Sequence, residues 1–332
     1  MRIIPNDRGV TSALFAVFLT VALGVAALVI DVANAWQERR QLVTATDAAA
    51  LAAAQEFVAG NDGCGTTDNA FVEANSPGAI NVVCDPVDPT STAPGRVTVE
   101  ADFEVDYFFG PAIGIDGTTV ASSSTASYAF AFSIDGGLRP FGLCLENLEA
   151  QGVTPGDGET YRLDFGQNGQ PGPCSDGENA PGNWALLDFD DILGGQANAN
   201  STLADWIENG YNEHEVEIGE VVAGDPGALS NSVGSELQGL VDDETIFTVP
   251  IFSVADGAGE NGEFPIIDFA VVKLVDYKVT GSQQNGTRFL EFEFVTDVVQ
   301  GGGGGPGGFG AFVVGLCAVD GLDAAATCIN EN

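Results

Sequence analysis

From Val10 to Ile30 the chain carries no charged residue, and from Asp31 to Ala59 it carries neither Pro nor Gly. A helix rises ~1.5 Å per residue, so the first stretch is long enough to cross the hydrocarbon core of a bilayer. The second is rich in Ala, Leu, Gln and Glu, which favour the helical state. The pattern predicts one long N-terminal helix, apolar in its first part and water-facing in its second. In the second part Trp36, Val43, Ala50 and Phe57 recur at intervals of seven, with Arg40, Asp47 and Ala54 beside them. A stripe so narrow and Ala-lined requires a close partner, either the protein's own globular part or the same helix face of a second copy.

Past Ala59 the run Gly60-Asn61-Asp62-Gly63-Cys64-Gly65 stops the helix. A short helix is expected at 69–75. Residues 96–105 alternate apolar with polar, and residues 118–132 alternate small polar residues with Val, Ala and Phe, so both read as strands. The edge of this first module is drawn near Phe132. From Ser133 the expected strands are 161–165, 184–189, 215–222, 245–251, 266–280, 287–299 and 311–319, with helices at 202–208 and 228–240. The fold class is therefore α+β: a long N-terminal helix, transmembrane and then stalk, followed by a mainly antiparallel β ectodomain. Residues 301–308 read GGGGGPGG, which predicts a flexible turn or linker, taken as a long turn inside the domain.

Charge narrows the partners. Asp and Glu number 48 against 10 Lys and Arg, and four of those cations (Arg2, Arg8, Arg39, Arg40) flank the apolar run. The remainder repels nucleic acid, and anionic lipid too except at the flanks of the run. The basic lead at 1–9 favours an N-terminus in the cytoplasm, although Arg39 and Arg40 on the far side weaken that rule. The six cysteines fall as Cys64 with Cys84, Cys144 with Cys174, and Cys317 with Cys328, among Gly, Asp and Pro. No Cys-x-x-Cys is present and His214 is the only histidine, so zinc is disfavoured and disulfides outside the cytoplasm are expected, in sequential pairs. The predicted topology is a single span, N-terminus in and C-terminal domain out. Ala33-Asn34-Ala35 before Trp36 also fits a cleavage site, but the apolar run exceeds the usual length of a signal peptide, and a retained anchor is expected.

No catalytic constellation emerges. Acyl-transfer chemistry would rest wholly on His214, in Asn212-Glu213-His214-Glu215, and no G-x-S-x-G or P-loop string occurs. Acidic clusters at Asp188, Asp190 and Asp191, at Asp242, Asp243 and Glu244, and from Asp256 to Glu263 lack the order of a calcium loop and are expected by chance in so acidic a chain. No cofactor or metal is expected. Asp31 reads as an interfacial carboxylate or as the partner of a neighbour's cation. Asp47 reads as the N-cap of a second helix starting at Ala48, or as a partner of Arg40 in the same chain or a neighbour.

The string Asp31-Val32-Ala33, then Arg39-Arg40-Gln41-Leu42, then Ala45-Thr46-Asp47-Ala48-Ala49-Ala50-Leu51-Ala52-Ala53-Ala54, after a span that opens with Asp7-Arg8-Gly9, closely resembles the N-terminal region of Tad (Flp) pilus-assembly proteins of the TadE/TadG-like type. The resemblance covers roughly the first sixty residues. A looser likeness to the extracytoplasmic part of TadG-related proteins runs through Pro181 to Asp188, Gly210-Tyr211 and Thr248 to Ile251, and the helix with its two strands resembles the small α+β module of pilin-like proteins. The chain departs from processed type IV pilins, because Leu14 stands where they carry Glu, five beyond Gly9. The resemblance implies a non-enzymatic envelope protein of pilus assembly, a scaffold or minor pilin-like component, whose partners are membrane lipid through Val10–Ile30 and other pilus or envelope proteins. Self-association through the Trp36–Phe57 face is the remaining partner expectation. The expected divisions are 1–9 (cytoplasmic lead), 10–30 (span), 31–132 (stalk and small module) and 133–332 (acidic β-rich domain). The residues alone also admit a surface binding or adhesion module on the same anchor and, less well, a secreted hydrolase.

Overall fold

The computed structural model describes residues 8–89, 93–164, 174, 184–189, 200–224, 233–255, 262–279 and 288–317. The chain forms two compact units, one made of Met1–Ala53, Asp62–Pro86 and Val97–Ala126, the other of Ala54–Asn61, Val87–Arg96 and Ser127–Asn332.

The first unit is built on α1 (Arg8–Val58), a continuous helix of 51 residues whose part up to Ala53 belongs to it. Its apolar part is left bare: Leu14, Phe15, Phe18 and Leu23 are all more than 60% exposed, and none of the most apolar window is buried. Further along the helix the surroundings change. Leu42, Ala45, Thr46, Ala49, Ala50 and Ala53 are fully buried, a run at the i, i+3, i+4 spacing of one helix face. Of the stripe expected at sevenfold spacing, Ala50 lies in this face, whereas Trp36 is 63% and Val43 39% exposed.

The unit continues through α2 (Thr67–Asn75) and most of β1 (Ile80–Val87), β2 (Gly95–Asp106) and β3 (Gly117–Phe130). In β2 the alternation holds: Val97, Val99, Ala101 and Val105 point inward. Strands β2 and β3 run antiparallel, with Thr98 bonded to Thr125 and Ser123 to Glu100 across them. Their connection contains a 3-10 turn at Gly110–Ile113. A disulfide between Cys64 and Cys84, with Cα atoms 5.6 Å apart, ties the turn after α1 to β1. Strand β1 shows no alternation that would predict it.

The second unit runs β4 (Ser133–Ile134), β5 (Phe141–Cys144), α3 (Leu145–Gln151), β6 (Thr160–Asp164), β7 (Trp184–Asp188), α4 (Asn200–Asn209), β8 (Val216–Glu217), β9 (Val221–Gly224), α5 (Gly234–Asp242), β10 (Ile246–Phe252), β11 (Glu263–Lys278), β12 (Phe289–Val295), β13 (Asp297–Val298) and β14 (Ala311–Leu316). Its main sheet has the order β10-β5-β7-β9-β11-β12-β6, and a further β10–β11 pairing closes five of these strands into a hydrogen-bonded ring. The sheet is mixed, because β10 and β5 run parallel while its other pairings among the described residues are antiparallel. Strand β11 serves two cores by alternation: Ala270, Val272 and Leu274 join Leu203, Ile207, Leu237 and Leu240 of α4 and α5, and Phe269 and Val271 join Phe252, Phe264 and Trp206. Cys144 and Cys174 form a second disulfide. The strand expected at 215–222 is split into β8 and β9 at Gly219, whose φ of +96° a strand cannot carry. Residues 165, 228–232, 280, 287, 318 and 319 of the expected elements lie outside the described residues.

The glycine run at 301–308 is a built segment rather than a loose linker. Gly304 and Gly305 donate to the Phe130 carbonyl at 2.8 and 3.1 Å, and the Gly302 carbonyl accepts from Phe132 at 2.7 Å and Ser133 at 3.2 Å. The side-chain-free backbone lets the segment lie directly on its neighbour: a Cβ on Gly305 would overlap the Ala131 carbonyl, and one on Gly307 the Phe130 ring. Gly305→Ala is expected to destabilise the protein by roughly 1–3 kcal/mol through overpacking. Gly239→Ala, in α5 with open space around it, is expected to stabilise by about 0.5–1 kcal/mol. Urea midpoints of the two variants in detergent check the pair.

Asp268 on β11 is 6% exposed, and burial raises its pKa to about 6, against the opposing hydrogen bond from the Phe269 amide. The folded state therefore holds this proton more tightly than the unfolded chain, and the stability it brings is complete below about pH 4 and lost as pH rises through 6. Asp268→Asn is expected to stabilise at pH 7 by roughly 3 kcal/mol and to bring no gain at pH 4, measured by denaturant unfolding at the two pH values.

Candidate functional site

Asp31 ends the apolar part of α1 and is 4% exposed. Within the chain its carboxylate accepts from three consecutive backbone amides. Phe108 donates to Oδ1 at 2.8 Å, Phe109 lies 3.2 Å from both oxygens, and Gly110 donates to Oδ2 at 2.8 Å. These amides open the 3-10 turn Gly110–Ile113, where N–H groups have no partner within the turn, and a carboxylate there gains from charge-assisted hydrogen bonds. Gly110 is needed at this spot, because a Cβ would run into the Ile115 carbonyl and the Tyr107 ring. Sequence spacing places Asp31 but not its partners, which lie more than seventy residues away. Their one signal was an uncharged stretch, 107–115, between Asp106 and Asp116.

Four turns further along α1 a second polar contact is buried. Thr46 Oγ1 meets Ser122 Oγ at 2.9 Å and Ser124 Oγ at 2.8 Å, and Ser124 donates to Asp47 Oδ1 at 2.5 Å. No second helix begins at Ala48, because α1 runs through it, and Arg40 is not the partner of Asp47 among the described residues. Serines on β3 do two things at this face. Their small size lets the sheet approach the Ala-lined helix, and their hydroxyls satisfy Thr46 and Asp47.

Arg39 and Arg40 are exposed and line one strip of α1 with Trp36, Val43 and Thr44. They lie ~12–14 Å beyond Asp31 along the helix axis. Cys64, Cys84, Cys144 and Cys174 are disulfide-bonded in sequential pairs; Cys317 is disulfide-bonded as well, and Cys328 lies outside the described residues.

His214 is exposed, shares a hydrogen bond with the Tyr211 hydroxyl and packs edge-on against that ring. Asp188 is buried, while Asp190, Asp191 and residues 256–261 lie outside the described residues. Among the described residues no group of three or more His, Cys, Asp or Glu is placed to hold a metal ion. Arg139, for which the sequence carried no signal, is 7% exposed, donates to the Trp206 carbonyl at 3.2 Å and lies over the Phe247 ring. Burial lowers its pKa to about 10, with Glu208 pulling the other way, so it stays charged at neutral pH.

Residues 9–56 match the Tad family model, described as Flp pilus-assembly TadE/G-like. The match covers the long helix, with both Asp31 and Asp47, and ends before the β-rich remainder of the chain. No curated protein and no solved structure was found to match the chain.

Removing the Asp31 carboxylate leaves its three amides without their acceptor. Asp31→Ala is expected to destabilise the first unit by roughly 2–4 kcal/mol and to abolish the exchange protection of the Phe108, Phe109 and Gly110 amides. Hydrogen–deuterium exchange of the 107–116 segment reads this directly, and unchanged protection would remove the role assigned to Asp31.

Proposed function

We propose, from the Tad match at residues 9–56, that this chain is an extracytoplasmic component of Flp-type pilus assembly, held to the membrane by residues 10–30 as a single span. Residues 1–9 lie in the cytoplasm, 31–132 form a stalk with a small pilin-like module, and 133–332 form the acidic β-rich domain outside. Its work is that of a non-enzymatic scaffold or minor pilin-like component, in contact with other pilus or envelope proteins.

The observation that carries the anchor is the bare apolar helix. A fold that buries Leu42, Ala45, Ala49 and Ala53 completely leaves Leu14, Phe15 and Phe18 uncovered, and lipid is the medium that receives such a surface. Retention of the span is supported by Asp31, since a cut after Ala35 would remove the carboxylate on which the 108–110 amides depend. The disulfides support an oxidising compartment for the domains beyond the span. The exposed strip at Trp36, Arg39, Arg40 and Val43 is a face that a second copy could cover.

A second reading, a surface adhesion module on a Tad-like anchor, draws on the end of the match at residue 56. Co-purification of the tagged full chain from crosslinked membranes separates the two. Enrichment of pilus-assembly proteins over a control with an unrelated single-span anchor is expected. Enrichment of surface glycan without any pilus component would favour adhesion instead.

A further inference from the structure

The connection between β2 and β3 presents apolar side chains that no described residue of its own unit covers. Residues 107–115 read Tyr-Phe-Phe-Gly-Pro-Ala-Ile-Gly-Ile, with no charge between Asp106 and Asp116. Phe108 is 69% exposed, Phe109 48%, Ile113 75% and Ile115 50%. The segment is nonetheless tightly folded: Tyr107 donates to the Asp116 carbonyl at 2.9 Å, Ile115 to Gly110 at 3.1 Å and Gly114 to Pro111 at 3.2 Å. An ordered loop that holds four large apolar residues outward requires something to receive them.

Its position says what that is. The Asp31 carboxylate pins the amides of Phe108, Phe109 and Gly110 to the last turn of the bare apolar helix, so the loop and the outer end of that helix share one depth. We propose that residues 107–115 form a second membrane contact, seating Phe108, Phe109, Ile113 and Ile115 in the interfacial layer of the bilayer beside the span. This rests on the reading of residues 10–30 as a span and adds to it. The contact is apolar rather than electrostatic, because the tip is uncharged and Asp106 and Asp116 at its stem keep the strands in water and repel anionic headgroups.

Asp31 and the loop solve each other's difficulty at this depth. A carboxylate at the edge of hydrocarbon is costly without donors, and loop amides there are costly without an acceptor; paired, neither is left bare. Trp36, 63% exposed and five residues further along the helix, lies in the zone where indole rings gather. Anchored by the helix and by a loop on one side of it, the first unit holds a fixed tilt and rotation on the membrane, which a lone span does not impose.

The test uses the full-length chain in phosphatidylcholine vesicles, with the photoreactive p-benzoylphenylalanine placed in turn at Leu23, Ile113 and Glu100. After illumination, adducts are read by mass spectrometry. Lipid adducts are expected at Leu23 and at Ile113 in comparable yield, and none at Glu100, which is exposed on β2. Lipid at Leu23 with either no adduct or a chain-to-chain crosslink at Ile113 overturns the loop contact and leaves the span standing, the crosslink assigning the loop to a second copy. No lipid adduct at Leu23 overturns the span, and the loop contact with it. The same probe at Phe109 gives the reading should the Ile113 variant fail to accumulate.

Discussion

The hydrogen bonds between the Asp31 carboxylate and the amides of Phe108, Phe109 and Gly110 are the joint on which the first unit turns. On one side of that joint α1 is uncovered apolar surface; on the other it packs as an ordinary core helix. A charged group placed at such a boundary needs donors that remain when water thins out, and backbone amides at the start of a 3-10 turn provide them without a counter-cation. The acidic chain, with so few Lys and Arg to spare, has little else to offer a buried carboxylate.

Beyond the joint, small residues decide the packing. The helix and its length were legible in the sequence, because an uncharged run joined to a Pro- and Gly-free Ala-rich run has few other readings. Which face packs was not. Of the residues expected at sevenfold spacing, Trp36, Val43, Ala50 and Phe57, Ala50 is fully buried, in a face with Leu42, Ala45, Thr46, Ala49 and Ala53, while Trp36 and Val43 are exposed. Large side chains mark a core when the opposing surface has room for them. Here the opposing strand offers Ser122 and Ser124, so the helix approaches through its Ala and Thr and turns Trp36 outward. The donor to Asp47, Ser124, lies far off in sequence, where local pattern does not reveal it.

In the second unit alternation placed most strands and missed those too short or too uniformly buried to alternate. Strand β5, Phe141–Cys144, is buried at every position, and β1 has an exposed or half-exposed residue at every position, so neither shows the period of two. The parallel pairing of β5 with β10 depends on which distant strands meet, which local pattern does not encode. At 301–308 the turn inside the domain is held fast, since glycine favours freedom only where the chain has space. Beside Phe130, Ala131 and Ser133 the missing Cβ atoms are what let backbone lie on backbone. For Asp31 and Asp47 a carboxylate's acceptor role is visible in sequence, while the amide or hydroxyl that answers it is not.

On the proposed reading, lipid covers this helix where protein does not, and the carboxylate joint sits at the water's edge. The most direct measurement is the intact mass of the chain recovered from carbonate-washed membranes. Recovery in the membrane fraction at a mass that includes residues 10–30 is the predicted result. A soluble chain beginning at Trp36, stripped of Asp31 yet still folded, would contradict it.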